Sequence, residues 1–213
     1  MAAGNRCVFD GHVVFACAAS FRLDAQKKSW GYQERDEAAR AEFVKALQEV
    51  AVCDRIYVDE SGFDDRLARE YGWSPRGEPC LGKRPGHASE RLSVVAGWQP
   101  QSQSQSQPQP SGLIAALSFE GTCHSRLFEL WLRVMLCPEL RVGKVVILDN
   151  ARFHRKKAVQ RILNKVGCRA LFLPAYSPDL NLIEHQWHGL KTRVRTNHLH
   201  GMNFKLALEN ALL

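Results

Sequence analysis

Lys144-Val-Val-Ile-Leu-Asp-Asn150 is the stretch that decides the fold. Its apolar residues follow one another without polar alternation, which is typical of a strand covered on both faces by helices. Asp149 and Asn150 close the strand, and ligand-binding side chains gather at strand ends in α/β sheets. The stretch therefore predicts an α/β fold with a polar site that begins at residue 149.

The first four predicted elements lie well upstream of this strand. The apolar periodicity of residues 35–50 indicates an amphipathic helix. Residues 55–59 form a short buried strand that ends where Glu60-Ser61-Gly62 provides turn chemistry, and residues 92–97 and 113–119 are two further strands. Residues 99–110, between these last two strands, contain only Gln, Ser and Pro, so we expect a mobile loop there.

The remaining predicted elements, the first of which still precedes this strand, complete an alternating pattern of helices and strands. Residues 126–136 form a helix that Pro138 stops, residues 156–166 a basic helix, residues 170–173 a strand, residues 182–195 a helix, and residues 202–213 a final helix. The apolar stripe predicted for the first of these helices consists of Leu127, Leu130, Trp131, Val134 and Met135.

Positive charge is concentrated in one part of the chain. The formal net charge is +7, and residues 141–200 hold twelve Lys or Arg against three acids, Asp149, Asp179 and Glu184. A basic surface with isolated carboxylates suits a phosphate backbone bound near a metal centre. A solvated basic face remains the alternative when charge is considered alone.

The seven cysteines lack the spacing of a zinc site, because no two of them are two to four residues apart. We expect reduced, mostly buried thiols in a soluble cytoplasmic protein. The apolar run of residues 12–19 is too short to cross a bilayer, so no membrane partner is expected.

Three acids follow or begin predicted elements: Asp59 and Asp149 end strands, and Glu184 opens a helix. Carboxylates combined with water and substrate phosphate are what Mg²⁺ prefers. Each acid also has an ordinary structural interpretation. Asp149 could form a turn or an N-cap after its strand, and Asp59 could be an ordinary strand-end carboxylate. Asn181 followed by Glu184 is close to a capping box.

The helix that begins near Glu184 carries two adjacent stripes. The apolar stripe, which must face the core, consists of Ile183, Trp187, Leu190 and Val194. The neighbouring stripe consists of Glu184, His188, Lys191 and Arg195. We therefore predict DNA contacts at the last three of these residues, and also at the start of the basic helix, at Arg155, Lys156 and Lys157.

Three sequence blocks together resemble the signature blocks of mariner-type transposases, particularly the bacterial insertion-sequence branch. They are Tyr57-Val-Asp-Glu-Ser-Gly-Phe63, Leu148-Asp-Asn-Ala-Arg-Phe-His154 and Leu173-Pro-Ala-Tyr-Ser-Pro-Asp-Leu-Asn-Leu-Ile-Glu184. Thirty-four residues separate Asp149 from Glu184, as in that branch. The resemblance extends over residues 27–195 and implies an RNase H-like, retroviral-integrase-like α/β fold. This fold has a mixed five-stranded sheet flanked by helices, with Asp59 and Asp149 on adjacent central strands.

The resemblance also implies a chemistry. Asp59, Asp149 and Glu184 would bind two Mg²⁺ ions, with Mn²⁺ able to substitute, and would cut and then join DNA. The implied partners are double-stranded DNA, as transposon ends and target, and a second copy of the chain in a nucleoid-associated complex. Asn150, His154 and Asn181 match neighbours within the motifs, and the resemblance assigns them no role.

The predicted organisation departs from that family at its beginning. Residues 1–52 are expected to be an N-terminal remnant and a linker helix, residues 53–198 the catalytic domain, and residues 199–213 a C-terminal helix. Because residues 1–24 lack the helix-turn-helix pattern that precedes the core in the family, we expect a truncated or frameshifted copy. An inactive remnant that only binds DNA or a partner transposase, and another RNase H-like nuclease, remain alternatives.

Overall fold

A computed structural model describes residues 7–9, 12–14, 32–66, 72–81, 86–87, 90–100 and 112–212. The chain divides into two compact units, Met1–Gln33 and Glu34–Leu213. In the first unit, the described residues form an antiparallel hairpin of β1 (Cys7–Phe9) and β2 (His12–Val14). Most of the Gln/Ser/Pro tract, for which we predicted a loop, lies outside the described residues.

The second unit is built on a mixed five-stranded sheet, as predicted. Its strands are β3 (Arg55–Asp64), β4 (Arg91–Trp98), β5 (Leu113–Glu120), β6 (Val145–Leu148) and β7 (Arg169–Phe172). They lie in the order β5-β4-β3-β6-β7. β3, β4 and β5 are antiparallel neighbours, whereas β6 pairs in parallel with both β3 and β7. All four residues of β6 are buried, as their continuous apolar character predicted.

β3 is twice as long as predicted. The expected turn at Glu60-Ser61-Gly62 is wrong, because these residues continue the strand and pair with Val95, Val94 and Ser93 of β4. Long-range pairing with β4 therefore overrides the local turn signal. As a consequence, Asp59 does not end its strand but lies within it, just past the part of β3 that pairs with β6.

Helices cover both faces of the sheet. The described helices are α1 (Glu37–Gln48), α2 (Ser125–Trp131), the π-helical turn Leu132–Leu136, α3 (Cys137–Glu139), α4 (Lys156–Asn164), α5 (Glu184–Leu199) and α6 (Phe204–Leu212). One hydrophobic cluster joins the sheet to α1, α5 and α6, and a second joins it to α2 and α4. Tyr57 belongs to the first cluster and Val58 to the second, because successive strand residues point to opposite faces.

The apolar stripe predicted for residues 126–136 is correct for the buried Trp131 but wrong in phase for Leu130 and Val134. Leu130 and Val134 are exposed, whereas Phe128, Leu132 and Leu136 are fully buried. This segment is apolar around most of its circumference, so its periodicity does not distinguish one face from the next. The π-helical turn also shifts the helical register after Trp131, and Pro138 lies inside the final short helix rather than ending the first.

The described residues also test the predictions for the α5 stripe, the cysteines and membrane-spanning segments. The apolar stripe of α5 is buried as predicted, with Ile183, Trp187, Leu190 and Val194 each at most 2% exposed. Of the five cysteines between residues 53 and 168, all free, Cys137 and Cys168 are buried, Cys123 is half-buried, and Cys53 and Cys80 are exposed. The expectation of mostly buried thiols is therefore not met among them. No described helix has the length and apolar character needed to cross a membrane.

Leu190→Ala should destabilise the protein by about 2–5 kcal/mol, because it leaves a cavity where α5 packs on the sheet. The matched control is Leu199→Ala on the same helix, where the side chain is 52% exposed and the cost should stay near 0.5 kcal/mol. Urea unfolding of the two variants measures both values. Equal losses of stability would contradict the assigned orientation of α5.

Candidate active site

The sheet register brings two of the predicted acids side by side. Tyr57 of β3 pairs with Ile147 of β6 in parallel. Asp59 lies two residues after Tyr57, and Asp149 lies two residues after Ile147. Neighbouring strands are about 4.8 Å apart, so the backbones of these two acids lie next to each other at one edge of the parallel pair.

Asp59, Asp149 and Glu184 all line one open pocket of about 380 Å³. The rest of its lining comes from the chain that leaves β6 and from the segment between β7 and α5: Asn150, Ala151, Leu173, Pro174, Ala175, Tyr176, Ser177, Pro178 and Asn181. Two of the three predicted motif neighbours, Asn150 and Asn181, are therefore in the pocket wall. The third, His154, lies behind it.

Asp59 is the most perturbed acid of the pocket. Burial raises the pKa of its carboxyl to about 7, despite a hydrogen bond of 3.0 Å that Trp187 Nε1 donates to Oδ2. The negative charges of Glu184 and Glu60 raise the pKa further. A carboxyl in this environment gains from a nearby cation, because a cation would offset both its lost hydration and the repulsion.

Asp149 has the opposite environment. Burial opposes ionisation, but hydrogen bonds from His154 and from the backbone N–H of Ala151 outweigh burial and lower the pKa of its carboxyl. Its Oδ1 lies 2.8 Å from His154 Nδ1 and accepts the Ala151 N–H at 3.0 Å. Asp149 therefore forms the turn that its ordinary structural interpretation predicted. It also lines the pocket, where its side chain is 46% exposed.

His154 is buried behind the pocket between two carboxylates. Its Nδ1 faces Asp149, and its Nε2 lies 3.1 Å from Glu60 Oε1. Burial works against a charged imidazole, yet the hydrogen bonds to Asp149 and Glu60 raise the pKa of His154 to about 9. The rings of Phe128 and Phe153 lie 4.2 and 4.3 Å from the imidazole, between ring centroids.

The capping-box interpretation of Asn181 and Glu184 is wrong. α5 begins at Glu184 after Ile183, and no side chain caps it. Asn181 is instead buried and donates from Nδ2 to the backbone oxygen of Val58 on β3 at 3.4 Å. Glu184 is thus exposed at the pocket without a capping role, and within the described part of the chain its carboxylate makes no hydrogen bond.

Two sets of contacts hold the pocket wall in place, and the sequence patterns identified neither. Asn150 Nδ2 donates to the backbone oxygen of Leu173, which joins the ends of β6 and β7. On the outer side, Asp179 accepts from both Arg35 and Arg40, with the Arg40 ion pair at 2.7 Å. The available signal was that Asp179 is one of three acids in a basic region, but its partners are 139 and 144 residues away.

The pocket fits divalent cations by its donor chemistry. It offers three carboxylates on an open face, and after burial the negative charges of Glu184 and Glu60 also contribute to the raised pKa of Asp59. Within the described residues, however, no three His, Cys, Asp or Glu side chains form a group that could hold one metal ion. The three acids thus line the same pocket, but their carboxylates do not converge on one metal-binding position.

The residues predicted to contact DNA differ in their exposure and in their contacts within the protein. His188 is exposed on α5, while Lys191 and Arg195 are half-buried, and Lys191 Nζ lies 5.6 Å from the ring centroid of Phe63. At the start of α4, Lys157 is exposed, and Lys156 Nζ lies 5.1 Å from the Phe172 ring.

Arg155 is committed to a protein partner. It forms an ion pair of 2.6 Å with the buried Glu129 of α2. An Arg that neutralises a buried carboxylate contributes less net positive charge to a DNA surface than the neighbouring lysines do.

Comparison with known proteins gives a family and a fold. The sequence profile described as "DDE superfamily endonuclease" matches residues 54–205. The chain is similar to the Mos1 transposase paired-end complex with left transposon end, at TM-score 0.57 and 16% identity over 80% of this chain and 53% of that chain. It is also similar to the Mos1 Strand Transfer Complex, at TM-score 0.57 and 15% identity over 89% and 62%.

A third similar structure is the mariner Mos1 paired end complex with Mg, at TM-score 0.56 and 16% identity over 79% and 53%. The chain spans about half the length of the paired-end transposase chains that it matches. At these identities the likeness establishes the fold, which is the predicted RNase H-like one. No curated protein sequence matches the chain.

Asp59→Asn should stabilise the metal-free protein at pH 8. The folded pKa of Asp59 is raised from 3.8 to about 7, so its ionisation favours unfolding increasingly as the pH rises through this window. Removing the charge should increase the free energy of unfolding by up to about 4 kcal/mol at pH 8 and by much less at pH 4. Urea unfolding in EDTA at both pH values measures the difference.

The matched control is Asp64→Asn on the same strand. The hydrogen bond and ion pair with Arg66 lower the pKa of Asp64, so this carboxylate stabilises the fold above its unfolded pKa and loses that effect as the pH falls. Asp64→Asn should therefore destabilise at pH 8. If the Asp59→Asn variant is no more stable than the parent at pH 8, ionised Asp59 does not destabilise the fold and the prediction is wrong.

Proposed function

The chain belongs to the DDE superfamily endonuclease family, and from that premise we propose that it is the catalytic domain of a mariner-type transposase. In this proposal Asp59, Asp149 and Glu184 hold two Mg²⁺ ions, with Mn²⁺ able to substitute. The reaction cuts a phosphodiester of double-stranded DNA at the transposon end and joins the resulting 3′-hydroxyl to a target.

One observation carries the proposal: three acids that are up to 125 positions apart in sequence line a single pocket. The raised pKa of Asp59, which burial and the negative charges of Glu184 and Glu60 produce, adds support for a cation there, because perturbed carboxyls concentrate at functional sites. When bound, divalent ions would lower the pKa of the attacking water and neutralise the developing charge on the phosphoryl oxygens.

The protein groups have distinct tasks in this chemistry. Trp187 would keep one oxygen of Asp59 oriented through its indole N–H, leaving the other oxygen for a metal ion. His154 and the Ala151 N–H would hold Asp149 ionised. Glu184, which is exposed at the first turn of α5, would complete the ligand set from the opposite wall of the pocket. Because these groups supply charge and position rather than a nucleophile, the same site can both cleave and join.

DNA and a second copy of the chain are the proposed partners. Support for DNA comes from the exposed Lys157 on α4, from the exposed His188 on α5, whose first residue lines the pocket, and from the net charge of +7. The similar Mos1 structures are named as a paired-end complex with left transposon end and a strand transfer complex. We propose that this chain likewise acts as a homodimer on paired ends, in association with the nucleoid.

Asp149→Asn should reduce Mg²⁺-dependent nicking to the level seen in EDTA while leaving DNA binding largely intact, because the metal site is lost but the basic surface remains. The substrate is a duplex of the DNA that flanks the gene, with a scrambled duplex of the same composition beside it. Asp54→Asn is the matched control, since Asp54 pairs with Lys144 at the other end of β3 and should leave nicking unchanged.

The same assay separates the alternatives. Binding of the end duplex without any nicking by the parent chain would favour an inactive remnant. Equal nicking of the end-containing and scrambled duplexes would favour another RNase H-like nuclease. Nicking by Asp149→Asn at the rate of the parent would remove Asp149 from the site.

Lys157→Ala should weaken DNA binding equally for all sequences and reduce the slope of log K against log salt concentration by about 1, because one phosphate contact is lost. Lys45→Ala on the exposed face of α1 is the control and should leave the slope unchanged. Fluorescence anisotropy between 50 and 200 mM salt, a range over which phosphate contacts dominate, measures both slopes. If the two variants have identical slopes, Lys157 does not contact the DNA.

A further inference from the structure

Glu60 follows the pocket acid Asp59 on β3 but points away from the pocket. Successive residues of a strand face opposite sides of the sheet, so Glu60 lies on the face covered by α2 and α4. There its Oε1 lies 3.1 Å from Nε2 of the fully buried His154 side chain. Glu60 does not line the pocket, although its own side chain is only 15% exposed.

His154 connects Glu60 to the pocket. While Nε2 faces Glu60, Nδ1 lies 2.8 Å from Oδ1 of Asp149. The three side chains therefore form a continuous carboxylate–imidazole–carboxylate chain from the second face of the sheet to the pocket wall. We propose that Glu60 is a positioning residue, which through His154 fixes the carboxylate of Asp149 in the orientation that binds metal; this rests on the proposed function.

The surroundings of the imidazole explain why Glu60 is needed. Phe128 and Phe153 pack against the ring with centroids 4.2 and 4.3 Å away, but apolar rings do not distinguish one ring flip of His154 from the other. The hydrogen bond to Glu60 selects the orientation, because in the flipped ring a buried polar nitrogen would lose its acceptor. The selected orientation is the one that points Nδ1 at Asp149.

Cys123 lies near Glu60. Burial, together with the negative charge of the Glu60 carboxylate, raises the pKa of the Cys123 thiol to about 12. The thiol therefore stays protonated and adds no second negative charge beside Glu60. Asp149, by contrast, has a side chain that is 46% exposed, so its orientation depends on the contacts from His154 and the Ala151 N–H. Groups that orient a metal ligand in this way commonly change metal affinity by about 10- to 100-fold when removed.

The test measures Mn²⁺ binding to the full chain by isothermal titration calorimetry, without DNA. Glu60→Gln should weaken Mn²⁺ affinity by about 10-fold, because the neutral amide holds the imidazole less firmly. His154→Gln should weaken it at least as much, and the double variant should lose no more than His154→Gln alone, since Glu60 acts only through His154. Asp64→Asn, four residues along β3 and paired with Arg66, is the control that should bind as the parent does.

Each result decides the inference. Parent-like Mn²⁺ affinity in folded Glu60→Gln would overturn it while leaving the metal site standing, and so would additive losses in the double variant. If Glu60→Gln does not fold, Glu60→Asp, which keeps the charge but withdraws the carboxylate from Nε2, gives the same comparison with the same expected loss. Failure of the parent chain to bind Mn²⁺ would overturn the proposed function and this inference together.

Discussion

The parallel pairing of β3 with β6 is the constraint on which the rest of the structure depends. Its register, Tyr57 opposite Ile147, brings two acids that are 90 positions apart into neighbouring places. The pairing also commits both strands to burial on both faces, so helices must cover them on each side. The third acid, Glu184, then reaches the same edge because the apolar stripe of α5 docks on one of these faces.

The cost of this arrangement is electrostatic. Asp59 is buried beside Glu184 and Glu60, and its raised pKa shows that the folded protein disfavours its charge. On the other face, the buried His154 between Asp149 and Glu60 offsets part of the same negative charge. A site that is strained without its ligand and relieved by a cation is the arrangement expected where function, rather than stability, selects the residues.

The sequence predicted those features that depend on local pattern or on motif. β6 and the buried stripe of α5 agree with the structure, because continuous apolar runs and helical periodicity report burial directly. The mixed sheet, which the family resemblance implied, agrees as well. The length of β3 and the phase of α2 were wrong. In the first case, pairing with β4 overrode the turn residues Glu60-Ser61-Gly62; in the second, a helix apolar on most sides gave no unique face. Glu60 and Arg40 were missed as partners because hydrogen bonds across 94 and 139 positions leave no periodic signal.

The central claim is that Asp59, Asp149 and Glu184 bind divalent cations together, and anomalous X-ray scattering from crystals grown with Mn²⁺ tests it most directly. We predict anomalous peaks inside the pocket, within coordination distance of carboxylate oxygens of Asp59 and Asp149, with Glu184 drawn in toward them. A well-ordered pocket without a peak at saturating Mn²⁺, or a peak held by other side chains while these three stay apart, would contradict the account.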